Sequence, residues 1–111
     1  MSHLRDCIDQ CSTCHQVCLE TLTHCLRKGG DHAAADHVRL MQDCIQICAT
    51  SADFMLRGSE LHTETCRACA EVCRRCAEDC ERLADDDMMR RCADQCRSCA
   101  ESCAHMAGVA A

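Results

Sequence analysis

Proline, tryptophan and tyrosine are absent from this chain of 111 residues, phenylalanine occurs once, and glycine four times. With no proline and so little glycine, the chain is neither low-complexity nor a linker. The near absence of aromatics removes the stacking platforms that bind single-stranded nucleic acid. A net charge of −6 likewise leaves no basic stripe for phosphate recognition. No apolar run of about 18 residues reads as membrane-spanning. The opening Met1-Ser2-His3-Leu4-Arg5-Asp6 lacks the apolar stretch of a signal peptide. These two absences lead to the expectation of a cytoplasmic protein whose thiols are kept reduced. Ordinary core formers are also scarce, at eight Leu, three Ile and four Val. With this charge, that composition alone belongs to a disordered chain.

Cysteine reverses that expectation. Sixteen are present, nearly all at alternating spacings of three and four. They are Cys7, Cys11, Cys14, Cys18 and Cys25, then Cys44 and Cys48, then Cys66, Cys69, Cys73, Cys76 and Cys80, and finally Cys92, Cys96, Cys99 and Cys103. Residues three and four apart share one face of an α-helix. Free cysteine buries readily as a small hydrophobe, so thiols occupy the stripe that Leu or Val would normally fill.

The punctuation predicts four helices, at about 3–28, 31–57, 59–83 and 86–107, in one domain over 1–111. Ser2, Asp31 and Ser59 are the expected caps of the first three, and Asp85, Asp86 and Asp87 supply the fourth. Gly29-Gly30, Gly58 and Gly108 mark helix ends. Connections this short force antiparallel neighbours, so the fold class is all-α: an antiparallel up-down-up-down four-helix bundle with a cysteine-lined core. The sustained three-four alternation averages 3.5 residues, the seam of a left-handed bundle. Folding the chain at its turns predicts layers of Cys11, Cys48, Cys69 and Cys99, and of Cys14, Cys44, Cys73 and Cys96. Cys18, Cys76 and Cys92 come level with Met41, and Cys7, Cys66 and Cys103 lie near the end where the chain begins.

Sulfur selects soft metals, meaning Cu(I), zinc or iron in sulfide clusters. The run from Cys66 to Cys80 departs from the ferredoxin spacing, lacks its proline and reads as helix, which disfavours iron–sulfur. Structural zinc requires isolated foursomes, whereas a continuous stripe offers pairs. Cu(I) accepts two or three thiolates, and one cysteine can bridge two ions. The pattern therefore points to multiple Cu(I) ions on all sixteen cysteines. A zinc or general thiophilic-metal buffer remains an alternative, as does a redox-responsive thiol protein. A disulfide scaffold is opposed by bridges that would close trivial loops within one helix. No single thiol is marked out as a nucleophile, so the chain is not expected to be an enzyme.

The Cys-x3-Cys pairs Cys7/Cys11, Cys14/Cys18, Cys44/Cys48, Cys69/Cys73, Cys76/Cys80, Cys92/Cys96 and Cys99/Cys103 occur on all four predicted helices. On these pairs the chain resembles the bacterial cysteine-rich copper storage proteins, specifically their cytosolic branch. The resemblance implies a four-helix bundle that fills its core with Cu(I), stores it in the cytoplasm and assembles into a homotetramer. The second helix departs from the pattern, with only two cysteines. His37, Met41, Ser51 and Met55 take its other stripe positions.

His37, Met41, Met55, His62, Met89 and Met106 continue the thiol stripes toward the two ends and are auxiliary ligand candidates. Their plainer reading is as hydrophobic or amphipathic end plugs. His3 and His105 lie near the end holding both termini but off the stripe, and His15 and His32 read as surface residues. A second stripe flanks the thiols: Ile8, Leu19, Leu22 and Leu26, then Val38, Ile45, Ala49, Ala52 and Leu56. The outer faces of the last two helices are charged instead. A one-sided aliphatic patch marks a partner surface, here a second copy of the chain. Neither nucleic acid nor membrane is expected as a partner.

Overall fold

The computed structural model describes residues 2–108. It contains four helices: α1 (Ser2–Lys28), α2 (Ala35–Leu56), α3 (His62–Arg82) and α4 (Asp87–Met106). They run up and down in an elongated body of 41 × 24 × 20 Å. Each helix packs against its two neighbours around a square, α1 on α2 and α4, and α3 on α2 and α4. Among the described residues the diagonal pairs do not approach each other. The centre is therefore filled by side chains from all four walls.

The glycines end helices by the mechanism their position suggests. Gly58, at φ 71°, closes α2 with its N–H on the Met55 carbonyl, while the Ser59 N–H reaches the Phe54 carbonyl. This pair of bonds is a Schellman motif, and it needs the left-handed backbone that glycine adopts without a Cβ penalty. Gly29, at φ 73°, ends α1 by donating to the Cys25 carbonyl. Arg27 and Lys28 sit in that last turn, where they complement the negative end of the dipole.

Three expected helix starts differ. Ser2 is itself helical, and the position before it lies outside the described residues. Asp31 does not cap α2. It falls in a short 3₁₀ turn, Gly30–Ala33, where its backbone carbonyl accepts the Ala34 N–H. Helix α2 then starts at Ala35 with no side-chain cap, so Ala34 lies outside the helix and is exposed. Ser59 caps a turn that precedes α3: its Oγ accepts the Leu61 N–H at 3.1 Å. The helix itself begins three residues later, at His62. Asp86 does cap α4, accepting the Met89 N–H at 2.9 Å.

Candidate metal centre

All sixteen cysteines are free, and each is at most 1% exposed. Thr21, His37, Met41, Ser51, Met55 and Met89 are buried, whereas Leu4, His62 and Met106 are half-buried at the ends. Among the described residues no Lys or Arg shares the core, whose buried polar side chains are Thr21, His32, His37 and Ser51. His32, expected at the surface, is buried because the 3₁₀ turn tucks against α1 and α2, with its Nε2 3.5 Å from Asp85. His15 is half-buried, its Nδ1 3.0 Å from the Ile45 carbonyl.

Neighbouring sulfurs lie 3.5–4.0 Å apart, both along a helix and between helices. Cys14 and Cys18 are 3.9 Å apart on α1, and Cys69 and Cys73 are 3.7 Å apart on α3. A metal–thiolate bond of about 2.3 Å, the zinc value, places sulfurs about 3.8 Å apart in a tetrahedron and about 4.0 Å apart in a trigonal plane. The thiols are therefore already at coordination spacing before any ion arrives.

The expected layers bring together the right neighbours, but they are staggered rather than flat. Four-thiol groups, with all sulfurs within 4.8 Å of one another, are Cys11/Cys69/Cys99/Cys103, Cys48/Cys69/Cys73/Cys99, Cys14/Cys44/Cys48/Cys73 and Cys14/Cys18/Cys44/Cys96. Each group takes a Cys-x3-Cys pair from one helix and a single thiol from each of that helix's two neighbours. Among these four groups, each helix supplies the pair once. The stagger follows from the helix: residues four apart are separated by about 6 Å of rise, so a pair straddles the level of the single thiols facing it. Cys14, Cys44, Cys48, Cys69, Cys73 and Cys99 each belong to two groups, which makes the groups a continuous chain.

The two ends differ in chemistry. Cys7, Cys66 and Cys103 form a three-thiol group at the end holding the termini. There Cys66 is 3.3 Å from Ser51 Oγ and 3.8 Å from Met55 Sδ. His62 stays local, its Nδ1 2.7 Å from the Ser59 carbonyl. Toward the other end Met41 Sδ lies 3.5 Å from both Cys76 and Cys80. Cys25 then meets His37 Nε2 at 3.3 Å and Met89 Sδ at 3.6 Å. His37 Nδ1 is 2.6 Å from Asp79, which also accepts two hydrogen bonds from Arg82. Asp79 thus fixes the His37 ring so that Nε2 faces the thiol. Spacing did not single it out, because it sits beside the stripe and not on it; its signal is a carboxylate next to Cys80, opposite a stripe histidine.

Thiol ionisation differs along the chain of sulfurs. Hydrogen bonding within the cluster, first from Cys14, pushes Cys18 well above the ordinary thiol range, and burial adds to it. Its partner Cys14 is held low, first by Cys18. Burial first, then the nearby Cys92 and Asp86, pushes Cys25 up to about 11.

A family model described as Csp, copper storage protein, matches residues 1–108. A solved protein from Nitrosospira multiformis is 46% identical with a TM-score of 0.92, covering 96% of each chain. The Cu(I)-bound copper storage protein BsCsp3 of Bacillus subtilis is 33% identical with a TM-score of 0.88, over 95% of this chain and 98% of that one. A cytosolic copper storage protein from Streptomyces lividans, described with five coppers, is 27% identical with a TM-score of 0.89, over 99% and 96%. Among curated sequences, the uncharacterized cysteine-rich protein YhjQ of Bacillus subtilis is 35% identical over 65 residues; the match spans 59% of this chain and 60% of that protein.

Proposed function

The chain belongs to the copper storage protein family, and on that premise we propose that it sequesters multiple Cu(I) ions on its sixteen core cysteines and catalyses no reaction. One observation carries the choice of ion: the thiols are sealed from solvent with no Lys or Arg among them. A closed tetrahedral site of four thiolates around Zn²⁺ would bury two net negative charges, and each uncompensated charge costs several kcal/mol. Cu(I) on bridging thiolates can approach one ion per sulfur, which leaves the core neutral. Thiols shared between groups suit bridging and do not suit separate closed sites.

The auxiliary ligands divide by end. His37 and Met89 complete a mixed site with Cys25, Met41 supplements Cys76 and Cys80, and Met55 supplements Cys66. His62 and Met106 line the rim at the termini. The storage unit is one domain over residues 1–111. It works in the cytoplasm, a reading supported by the relative described as cytosolic and by the lack, among the described residues, of any helix long and apolar enough to cross a membrane. It assembles through the aliphatic side of α1 and α2, as a homotetramer on the family resemblance.

Anaerobic Cu(I) titration of the reduced protein against a strong Cu(I) chelator tests the reading. Uptake should plateau between about eight ions, at two thiolates each, and about sixteen, at one each. Because the bound form is the thiolate, a pH-stat should record proton release rising with uptake. A plateau at one or two ions, or Zn²⁺ displacing the copper, would sink it.

A further inference from the structure

A second set of donors lies outside the sulfur core, at the end of the bundle that carries both termini. There His3 of α1 and His105 of α4 face each other with ring centroids 4.4 Å apart and planes inclined at 49°. They border a surface groove of about 330 Å³, lined also by Asp6, Asp9, Gln10 and Ser102. His3, Asp6 and Asp9 are spaced by three on α1, so they rise along one face toward the groove. Ser102 and His105 repeat that spacing on α4. Gln10, which lines the groove, accepts a hydrogen bond from Gln95 on its side-chain oxygen at 2.8 Å. Among the described residues, neither imidazole and neither Asp6 nor Asp9 makes a side-chain hydrogen bond or an ion pair, although each could accept one.

We propose that this groove binds one divalent cation of borderline hardness, such as Zn²⁺, through a ring nitrogen of His3, a ring nitrogen of His105 and the Asp6 carboxylate. Imidazole and carboxylate donors suit divalent zinc, nickel or copper, whereas Cu(I) prefers sulfur. Two nitrogens at about 2.0–2.1 Å from a tetrahedral ion lie about 3.3 Å apart. Rings with centroids 4.4 Å apart reach that separation by side-chain rotation, and both are free to rotate on exposed helix ends. The carboxylates of Asp6 and Asp9 balance the two positive charges of the ion. Asp9, one turn further along α1, acts through charge or a bridging water. The site joins the first turn of α1 to the last turn of α4. It also sorts metals by oxidation state, with monovalent copper in the sulfur core and a divalent ion in the groove.

The test uses protein saturated with Cu(I) under anaerobic conditions, so that the thiols are already occupied. Calorimetric titration with Zn²⁺ should find one further ion. His105→Ala and the double variant His3→Ala/His105→Ala should each weaken that binding at least about tenfold, since even a lost supporting partner costs 10–100-fold. Their Cu(I) content should be unchanged. Co²⁺ in place of Zn²⁺ should give weak visible bands without thiolate charge transfer. Absence of Zn²⁺ uptake by the Cu(I)-loaded protein would overturn the proposal. So would undiminished uptake by the double variant, or a cobalt spectrum dominated by thiolate charge transfer. Cu(I) content is measured separately, so a failure here is distinguishable from a failure of the storage reading.

Discussion

Ser51 is a stripe position where an oxygen stands in place of a sulfur. It is fully buried, with its Oγ 3.3 Å from the Cys66 sulfur, and it also accepts a hydrogen bond from Thr65. Ser51→Cys changes one atom and completes a run of thiols along the end of α2. If thiols set capacity, this variant should bind about one Cu(I) more than the parent in the same chelator titration. Unchanged capacity in a folded variant would mean that the geometry at that end, and not the count of sulfurs, limits uptake. The cysteines themselves were legible because a soft ligand repeated at helix spacing leaves little else for the face to be. The orienting role of Asp79 was not legible, since it depends on which helix lies opposite and on the rotamer of His37. The burial of His32 was missed for a related reason: it follows from the path of a turn, which period alone does not describe.

At the level of the helix, the four elements and their ends at glycine followed from the period and the turn residues. Helix starts were less legible. Asp31 and Ser59 have the right side chains for a cap, but the Ser59 hydroxyl accepts the Leu61 N–H in a turn before the helix, and Asp31 contributes its backbone carbonyl to the 3₁₀ turn. Short polar residues favour either use, and the sequence does not distinguish them. Asp86 is a true cap, and it gathers more than one partner. Lys28 donates to it at 2.7 Å and His24 Nε2 lies at 3.0 Å. The Lys28 hydrogen bond first, and the Met89 N–H second, hold its carboxyl below the ordinary value of 3.8. A depressed folded value gives stability that is present above about pH 4 and lost as pH falls through it. Asp86→Ala should therefore cost about 1 kcal/mol at neutral pH. The difference from the parent should shrink below pH 4 in urea unfolding followed by circular dichroism. A gap that stays constant down to pH 2 would show that the carboxylate charge is not what matters.

For the whole molecule, the aliphatic side resolves into two parts. Ile8 and Ala52 are buried within the chain, and Leu22 and Ile45 are half-buried between helices. Leu19, Leu26 and Leu56 remain 44%, 56% and 57% exposed on α1 and α2. By contrast, α3 and α4 carry ion pairs such as Arg74 with Glu71 and Glu78, and Arg97 with Glu81. Charge placed in an apolar contact is costly. Leu19→Asp/Leu26→Asp should thus reduce the proposed assembly to monomers in sedimentation, with helicity unchanged because both side chains already face outward. A parent protein that sediments as a monomer at micromolar concentration would remove the basis for that interface. The shared thiols also have a temporal consequence. They would string the proposed binding positions into a file along the bundle axis, so that an ion in the middle would have occupied neighbours on both sides. On the proposed sites, such a store would work as a stack and not as a reservoir. Copper loaded last, marked with a heavy isotope, should be withdrawn first by a chelator, and the ions at mid-length should have the longest residence.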